Sequence, residues 1–293
     1  MTLQPKPRWL KRKLPSGPQY ERIRHLIKDQ CLSTVCQEAM CPNQFECYGN
    51  GAATFMILGD RCSRNCRFCA VGHGPQGVPD ADEPRRVAEA VRTMELSYCV
   101  LTSVTRDDLA DGGATHFAAT IHTLRALNPR TLIEVLIPDF QGNIEALATV
   151  LAARPEVLNH NLETVESLYP TVRPQAGYGQ SLEVLRQSKL IAPDVITKCG
   201  IMVGLGEGRE ELHQLMQDLR RVECDILTIG QYLQPSKAHL PVVRYLPPEE
   251  FAELEQEARA LKFGAVASAP FVRSSYQAES LFKRAKEAAI SLQ

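Results

Sequence analysis

The chain has no uninterrupted apolar run long enough to cross a bilayer, so no membrane-spanning segment is expected. It has no apolar stretch behind its first basic residues, and those residues are poor in serine and lack an amphipathic pattern. Neither a secretory signal nor an intact transit peptide is therefore expected. An excess of charge of one sign is missing too. The 33 basic and 34 acidic residues leave a formal net charge of −1, which gives no global field for nucleic acid or an anionic membrane. The exception is local: Lys6, Arg8, Lys11, Arg12 and Lys13 cluster among prolines, as in a solvated tail or a contact for an acidic partner. No internal repeat or low-complexity stretch is present. With 44% hydrophobic residues among 293, the composition supports one large domain with small extensions.

Cysteine, by contrast, is plentiful. Ten cysteines without a secretion signal argue for thiolate chemistry in a reducing cytoplasm rather than for a disulfide framework. Six of them form two tight triplets: Cys36, Cys41 and Cys47 read C-x4-C-x5-C, and Cys62, Cys66 and Cys69 read C-x3-C-x2-C. Three thiolates are one short of a closed tetrahedral zinc site, and one short of full cysteine ligation of a four-iron cluster. A zinc knuckle or a set of spare buried thiols is the plainer alternative. Against it, no fourth Cys or His stands at ligand spacing, His73 being the nearest. Cys99, Cys199 and Cys224 fall at or near expected strands and read as small buried hydrophobes. Cys31 lies close to the first triplet but outside its spacing.

Beyond about residue 50, short β-rich runs alternate with helical patterns. The expected strands are 54–59, 99–105, 132–137, 157–161, 196–203 and 226–232, rich in Val, Ile, Leu and Thr without polar alternation, as in strands buried on both faces. The expected helices between and after them are 86–96, 115–127, 144–153, 181–190, 210–222, 249–261 and 278–292. A further short strand is expected in the Ala-Val-Ala-Ser run before Pro270. Six βα units in series imply parallel strands with right-handed crossovers. The expected fold is α/β: a partial (β/α)6 TIM-like barrel over 51–262, with an N-terminal extension (1–50) carrying the first triplet and a C-terminal extension (263–293). Both extensions are too small to fold alone and are expected to pack across the barrel mouth. Chemistry in such folds sits at the C-terminal strand ends. The second triplet follows the first strand directly, and polar residues end later strands.

The second triplet, with Phe68 before its last cysteine, is similar to the signature of radical S-adenosylmethionine (SAM) enzymes. Several stretches together resemble the lipoyl synthase family over about residues 20 to 280. They are Thr34-Val-Cys36-Gln-Glu-Ala-Met-Cys41-Pro-Asn with Cys47, the Cys62 triplet, Thr102-Ser-Val-Thr-Arg106-Asp107-Asp108-Leu with Asp111-Gly-Gly, Asn159-His-Asn161-Leu-Glu163-Thr, Val172-Arg173-Pro, Gly204-Leu-Gly206-Glu207 and Arg273-Ser274-Ser275-Tyr276. The resemblance implies two [4Fe-4S] clusters. Cys62, Cys66 and Cys69 would hold the one that binds and cleaves SAM. Cys36, Cys41 and Cys47 would hold an auxiliary cluster that is consumed as the sulfur source. It further implies insertion of two sulfur atoms, at C6 and C8 of an octanoyl chain on a lysine of a lipoyl carrier domain.

The resemblance also implies a serine ligand to the auxiliary cluster from the Arg-Ser-Ser-Tyr motif. Serine oxygen matches iron less well than thiolate. Ser275 is the assigned ligand and Ser274 the alternative, while capping of the following helix is the blander role for both. Thr102 and Ser103, at the second strand's end, are expected to meet the methionine end of SAM, with Arg106 and Asp107 beside them; Asp107 has helix capping as its alternative. Asn161 and Glu163 are expected to meet its ribose or amino-acid part, or solvent in a plain polar strand end. Arg173 suits bidentate pairing with the SAM carboxylate. Gly204 and Gly206 would let backbone approach the cofactor, or simply make a turn. The expected partners are an octanoylated lipoyl carrier domain, a ferredoxin or flavodoxin electron donor and iron–sulfur supply proteins. A cytoplasmic monomer is expected, without nucleic-acid or membrane partners.

Overall fold

Each stretch of unbroken Val, Ile, Leu and Thr becomes a strand, and each amphipathic stretch between becomes a helix. The computed structural model describes residues 6–11, 17–50 and 52–291. Arg12 and Lys13 of the basic stretch, and Leu292 of the last expected helix, lie outside the described residues. The chain forms two compact units, one of Lys13–Asn65 with Ala70–Leu158, the other of Met1–Arg12, Cys66–Cys69 and Asn159–Gln293.

In the unit that carries the first triplet, the elements in chain order are α1 (Pro18–Asp29), β1 (Ser33–Thr34), α2 (Val35–Glu38), α3 (Gln44–Gly49), β2 (Thr54–Ile57), β3 (Arg61–Cys62), β4 (Gly72–His73), α4 (Glu83–Thr93), β5 (Tyr98–Ser103), α5 (Ala114–Leu127), β6 (Leu132–Leu136), α6 (Ile144–Ala152) and β7 (Val157–Asn159). Strand order is β1-β2-β5-β6-β7, with β3 and β4 paired separately. β2 and β5 pair in parallel from Thr54↔Val100 to Ile57↔Ser103, and β5 and β6 from Tyr98↔Leu132 to Thr102↔Leu136. β1 alone runs antiparallel, Ser33 facing Met56. Helix α4 shows how the sequence builds these layers: Pro84 sits in its first turn, where its missing N–H costs nothing, and Val87, Ala88, Ala90 and Val91 are buried. Opposite them Phe117, Ile121 and Leu124 of α5 are buried completely.

In the other unit, α7 (Tyr169–Val172) and α8 (Tyr178–Ile191) precede β8 (Ile196–Val203), α9 (Arg209–Arg221), β9 (Ile226–Gln231), α10 (Pro248–Ala260), β10 (Ala265–Ser268) and α11 (Ala278–Ser291). β8, β9 and β10 are adjacent and parallel, with Lys198↔Ile226 and Ala265↔Ile226 in register. Cys199, Ile201, Val203, Leu215, Met216, Leu219, Leu227, Ile229 and Phe251 belong to one core cluster. The fold is α/β with a mostly parallel sheet that is not closed, a partial TIM-like barrel.

All the expected strands form, each ending one or two residues early or in place. The segment expected to extend the fourth strand to residue 161 leaves regular pairing at Asn159. It then follows β8 by other bonds: His160 N donates to Lys198 O, Glu163 N to Gly200 O and Met202 N to Glu163 O, with Glu163 at φ 67°. The Ala-Val-Ala-Ser run forms β10 and joins β9, and α11 packs Leu281 and Ala285 beside Ile226 and Ala265. Among the described residues no helix is long and apolar enough to cross a membrane.

Candidate cluster-binding loops

The first triplet stands on two short helices and the turn between them. Thr34 caps α2, its hydroxyl accepting from Gln37 N at 3.4 Å, and the same hydroxyl lies 2.8 Å from Tyr48 Oη. Tyr48 of α3 is fully buried, and Tyr20 of α1 stacks on Phe45 at 5.2 Å. Cys41 N donates to Cys36 O, closing the turn through Met40, which takes a left-handed φ of 51°. Burial pushes the Cys36 thiol up to about 12, and the charges of Cys41 and Cys47 add to that rise. Thiolates gathered this way are stabilised by a shared cationic group, which is what an iron–sulfur cluster offers.

The second triplet occupies the loop after β2. Cys62 Sγ accepts from Arg64 N at 3.4 Å and from Thr105 N at 3.3 Å, two contacts that fix the position of the sulfur. Between Cys62 and Cys66, Arg64 turns inward and is held by two carboxylates. It donates to Asp107 at 2.7 and 2.9 Å and to Asp139 at 2.8 and 2.7 Å. Asp107 N in turn donates to Ser63 Oγ at 3.0 Å. The far half of the loop has its own braces: Arg67 N donates to Val172 O, Leu240 N to Arg67 O and Cys69 N to Cys66 O. His239 Nε2 lies 2.9 Å from Cys69 O and therefore donates to it, leaving Nδ1 as the acceptor for Ser236 Oγ. Phe68 packs with Val172, Leu205, Tyr232 and Val242, which accounts for an aromatic at that position.

The remaining expected site residues divide between the two units. On β5, Thr102 Oγ1 donates to Leu136 O at 3.0 Å. Ser103 Oγ is buried and has no hydrogen-bond partner among the described residues, an orphan that suits a ligand contact. Arg106 is nearly fully buried and holds Asp108, Leu58 O and Gly77 O, so it secures backbone rather than pointing at a ligand. Asp107 holds Arg64 and caps no helix.

In the other unit, Asn161, Glu163 and Arg173 come together. Asn161 Nδ2 donates to Glu163 Oε1 at 2.9 Å, and Arg173 Nη1 donates to Asn161 O at 2.9 Å while its guanidinium lies over the Tyr169 ring. Burial pushes the Glu163 carboxyl up, while Arg173, Asn161 and Arg273 pull it back. Ser274 reaches this group through Asn161 at 2.7 Å. Gly204 and Gly206 make a turn whose N–H groups are taken by Glu207, which accepts from Gly204, Leu205 and Gly206 at 2.5, 2.9 and 3.1 Å. Gly204 has φ 100°, and a Cβ there would collide with Gln231 and Arg244 O, so chain packing alone requires glycine.

Residues 56–219 match the model of the radical SAM superfamily, and residues 3–41 match that of the N-terminal domain of lipoyl synthase. A lipoyl synthase of Desulfotalea psychrophila is 61% identical over 281 residues, covering 96% of this chain and 94% of that protein. The chain belongs to the lipoyl synthase family. Another member, from Thermus thermophilus, is 54% identical, covering 96% of this chain and 88% of its own. A third, from Alkaliphilus metalliredigens, is 51% identical over 98% of this chain and 99% of its own. Among solved structures, the [FeFe]-hydrogenase maturase HydG aligns with a TM-score of 0.60 at 15% identity, over 78% of this chain and 54% of that one. Methylornithine synthase aligns at 0.50 and 14%, over 65% and 56%. At those identities the likeness concerns the fold.

For a lipoyl synthase family member, what matters is whether the donor sets suit clusters. Among the described residues no three His, Cys, Asp or Glu side chains stand as a preformed single-ion site. A four-iron cluster asks for something different, since each thiolate binds its own iron. The two loops each offer three free thiols, held by several backbone and side-chain contacts. Sequence reasoning did not single out Arg64 and Asp139. Their signals were an arginine inside the cysteine triplet and an aspartate at the end of the β6 unit, and only the fold joins them. His239, too, is placed by the fold alone, its ring against the backbone of Cys69.

Proposed function

We propose that this chain inserts two sulfur atoms, at C6 and C8 of a protein-bound octanoyl-lysine, to complete the lipoyl group. The observation that carries this reading is the presence of two three-cysteine loops, Cys36–Cys41–Cys47 and Cys62–Cys66–Cys69, in a chain of the lipoyl synthase family. Bound there, SAM and two [4Fe-4S] clusters supply a radical that takes hydrogen from an unactivated carbon, and sulfide to replace it.

The chain's own residues divide the work. Cys62, Cys66 and Cys69 hold the cluster that meets SAM, and Arg64 with its two aspartates fixes the loop between the first two. Thr102, Ser103, Asn161, Glu163 and Arg173 are the proposed surroundings of SAM, with Gly204 and Gly206 shaping the turn beyond β8. Ser103, whose buried hydroxyl has no partner among the described residues, is the strongest of these. Cys36, Cys41 and Cys47 hold the auxiliary cluster, and Ser275 supplies an oxygen ligand. In support of Ser275 over Ser274, the Ser274 hydroxyl is engaged by Asn161, whereas Ser275 makes no hydrogen bond among the described residues. The N-terminal extension (1–50) and the C-terminal extension (263–293) are proposed to serve this auxiliary site around the barrel of 51–262.

Lipoyl carrier proteins are the substrates of the family, and an octanoylated carrier domain is the proposed substrate here. A ferredoxin or flavodoxin is proposed as electron donor, with iron–sulfur supply proteins rebuilding the auxiliary cluster of a cytoplasmic monomer. The test is mass spectrometry of an octanoyl-lysyl peptide after anaerobic incubation with the reconstituted protein, SAM and a reductant. A product carrying one and then two sulfurs supports the reading. An unchanged peptide beside 5′-deoxyadenosine rejects the substrate, and no deoxyadenosine from iron-loaded protein rejects the radical chemistry.

A further inference from the structure

The Arg-Ser-Ser-Tyr segment is seated on the sheet by a specific fit. Two adjacent strands each carry a glycine where the segment passes. A Cβ on Gly200 of β8 would lie 2.5 Å from Ser274 Oγ, 2.8 Å from Asn161 Oδ1 and 3.0 Å from Thr228 Oγ1. On Gly230 of β9 a Cβ would strike Val272 O. The backbone is tied there as well, since Gln231 N donates to Pro270 O and Ala269 N donates to Ile229 O.

Ser274 is the point at which this segment grips the polar strand end. Its Oγ lies 2.9 Å from Asn161 Oδ1 and 2.7 Å from Asn161 Nδ2. The orientation of the Asn161 amide is forced from both ends. Its Oδ1 accepts from Gly200 N at 2.9 Å, and its Nδ2 donates to the Glu163 carboxylate at 2.9 Å. Reversing the amide would set N–H against N–H and oxygen against oxygen. With Ser274 added, both donors and both acceptor sites of Asn161 are in use. Arg273 adds a second attachment through its charge interaction with Glu163. Ser275, the next residue, makes no hydrogen bond among the described residues.

We infer that Ser274 is a positioning residue: through Asn161 it anchors the 272–274 segment to β8 and so fixes the backbone that carries the Ser275 hydroxyl. The inference rests on the reading of Ser275 as a cluster ligand. Asn161 thereby joins the serine segment to the Glu163–Arg173 group proposed to meet SAM.

The test compares Ser274→Ala, Ser275→Ala, Asn161→Ala and the Ser274→Ala/Asn161→Ala double variant in the full-length protein. Without clusters, Ser274→Ala is expected to exchange the amides of 273–276 about fivefold faster, the effect of losing one hydrogen bond. With clusters loaded, the Ser274→Ala auxiliary cluster should lose iron to a chelator about fivefold faster, with its Mössbauer spectrum unchanged. In the Asn161→Ala background, Ser274→Ala should add nothing further. Ser275→Ala should change the auxiliary spectrum, and if it does not, the ligand reading fails. If Ser275→Ala changes the spectrum but Ser274→Ala exchanges and loses iron at wild-type rates, the positioning role fails. A Ser274→Ala spectrum altered like that of Ser275→Ala would make Ser274 a ligand and overturn the inference. Additive effects of Ser274→Ala and Asn161→Ala would overturn it too.

Discussion

Replacing Arg64 with alanine should damage the SAM-cluster loop more than any other single change outside the cysteines. The Arg64 side chain is 7% exposed, Asp107 22% and Asp139 not at all. Four charge-assisted bonds of 2.7 to 2.9 Å join them. Truncation leaves Asp139 as a buried carboxylate without its cation, and such losses cost about 3–5 kcal/mol. Asp107, partly hydrated, adds little. Against a typical stability of about 5–15 kcal/mol this is a large fraction. A double variant, Arg64→Met with Asp139→Asn, removes the stranded charge and should regain at least half of the loss. Arg64→Lys should fall between, because an ammonium cannot serve two carboxylates in fork geometry. The assay is urea unfolding of the cluster-free protein, paired with hydrogen exchange of peptides covering 60–65, 105–108 and 139, since two compact units need not unfold together. An Arg64→Ala protein within about 1 kcal/mol of the wild type would refute the account of the clamp.

Cys66→Ala should abolish SAM cleavage, whereas Cys41→Ala should keep part of it and insert no sulfur; equal loss of deoxyadenosine in both, with folding retained, would contradict the division of roles. Asp111 is linked to acid stability. Burial raises its carboxyl, but bonds from Thr115 and Gly113 outweigh this and leave it lowered. A depressed carboxyl stabilises the fold above its unfolded value near 3.9, and the contribution fades as pH falls through the lower folded value. Asp111→Ala should therefore cost about 1 kcal/mol at neutral pH and nothing in strong acid, as read from denaturation at a series of pH values. Alkylation of the native, cluster-free chain should label exposed Cys31 quickly and leave Cys99, Cys199 and Cys224 untouched until unfolding, because those three are fully buried with thiols pushed up by desolvation.

The barrel was legible because its strands are buried on both faces, so that β2, Thr54–Ile57, shows no polar alternation and is buried at every position. Helix α1 was not singled out, although Pro18 at its start and buried Ile23 and Ile27 four apart mark it. The pairs β1–β2 and β3–β4 involve two-residue strands, which carry no periodicity. The cysteine triplets announced themselves by spacing. What surrounds them did not: Arg64, Asp107 and Asp139 are far apart in sequence, and nothing local tells an arginine in a cysteine loop which carboxylates it will meet. The glycines illustrate the same limit. Gly204 and Gly206 read as a cofactor approach or a plain turn, and the partners that hold the turn, Glu207, Gln231 and Arg244, emerge only in the fold. Gly200 and Gly230, inside apolar strands, make room for the Arg-Ser-Ser-Tyr segment, a long-range fit invisible to local pattern.

The central claim is that the Cys36–Cys41–Cys47 loop holds the sulfur that reaches the substrate. The direct measurement is to reconstitute the protein with heavy-isotope sulfide, remove free sulfide, and follow a single turnover on an octanoyl-lysyl peptide by mass spectrometry. The account predicts that both inserted sulfurs carry the label in the wild type, and that Cys41→Ala gives deoxyadenosine without a sulfur-bearing product. Unlabelled sulfur in the product, or labelled product from Cys41→Ala, would contradict it.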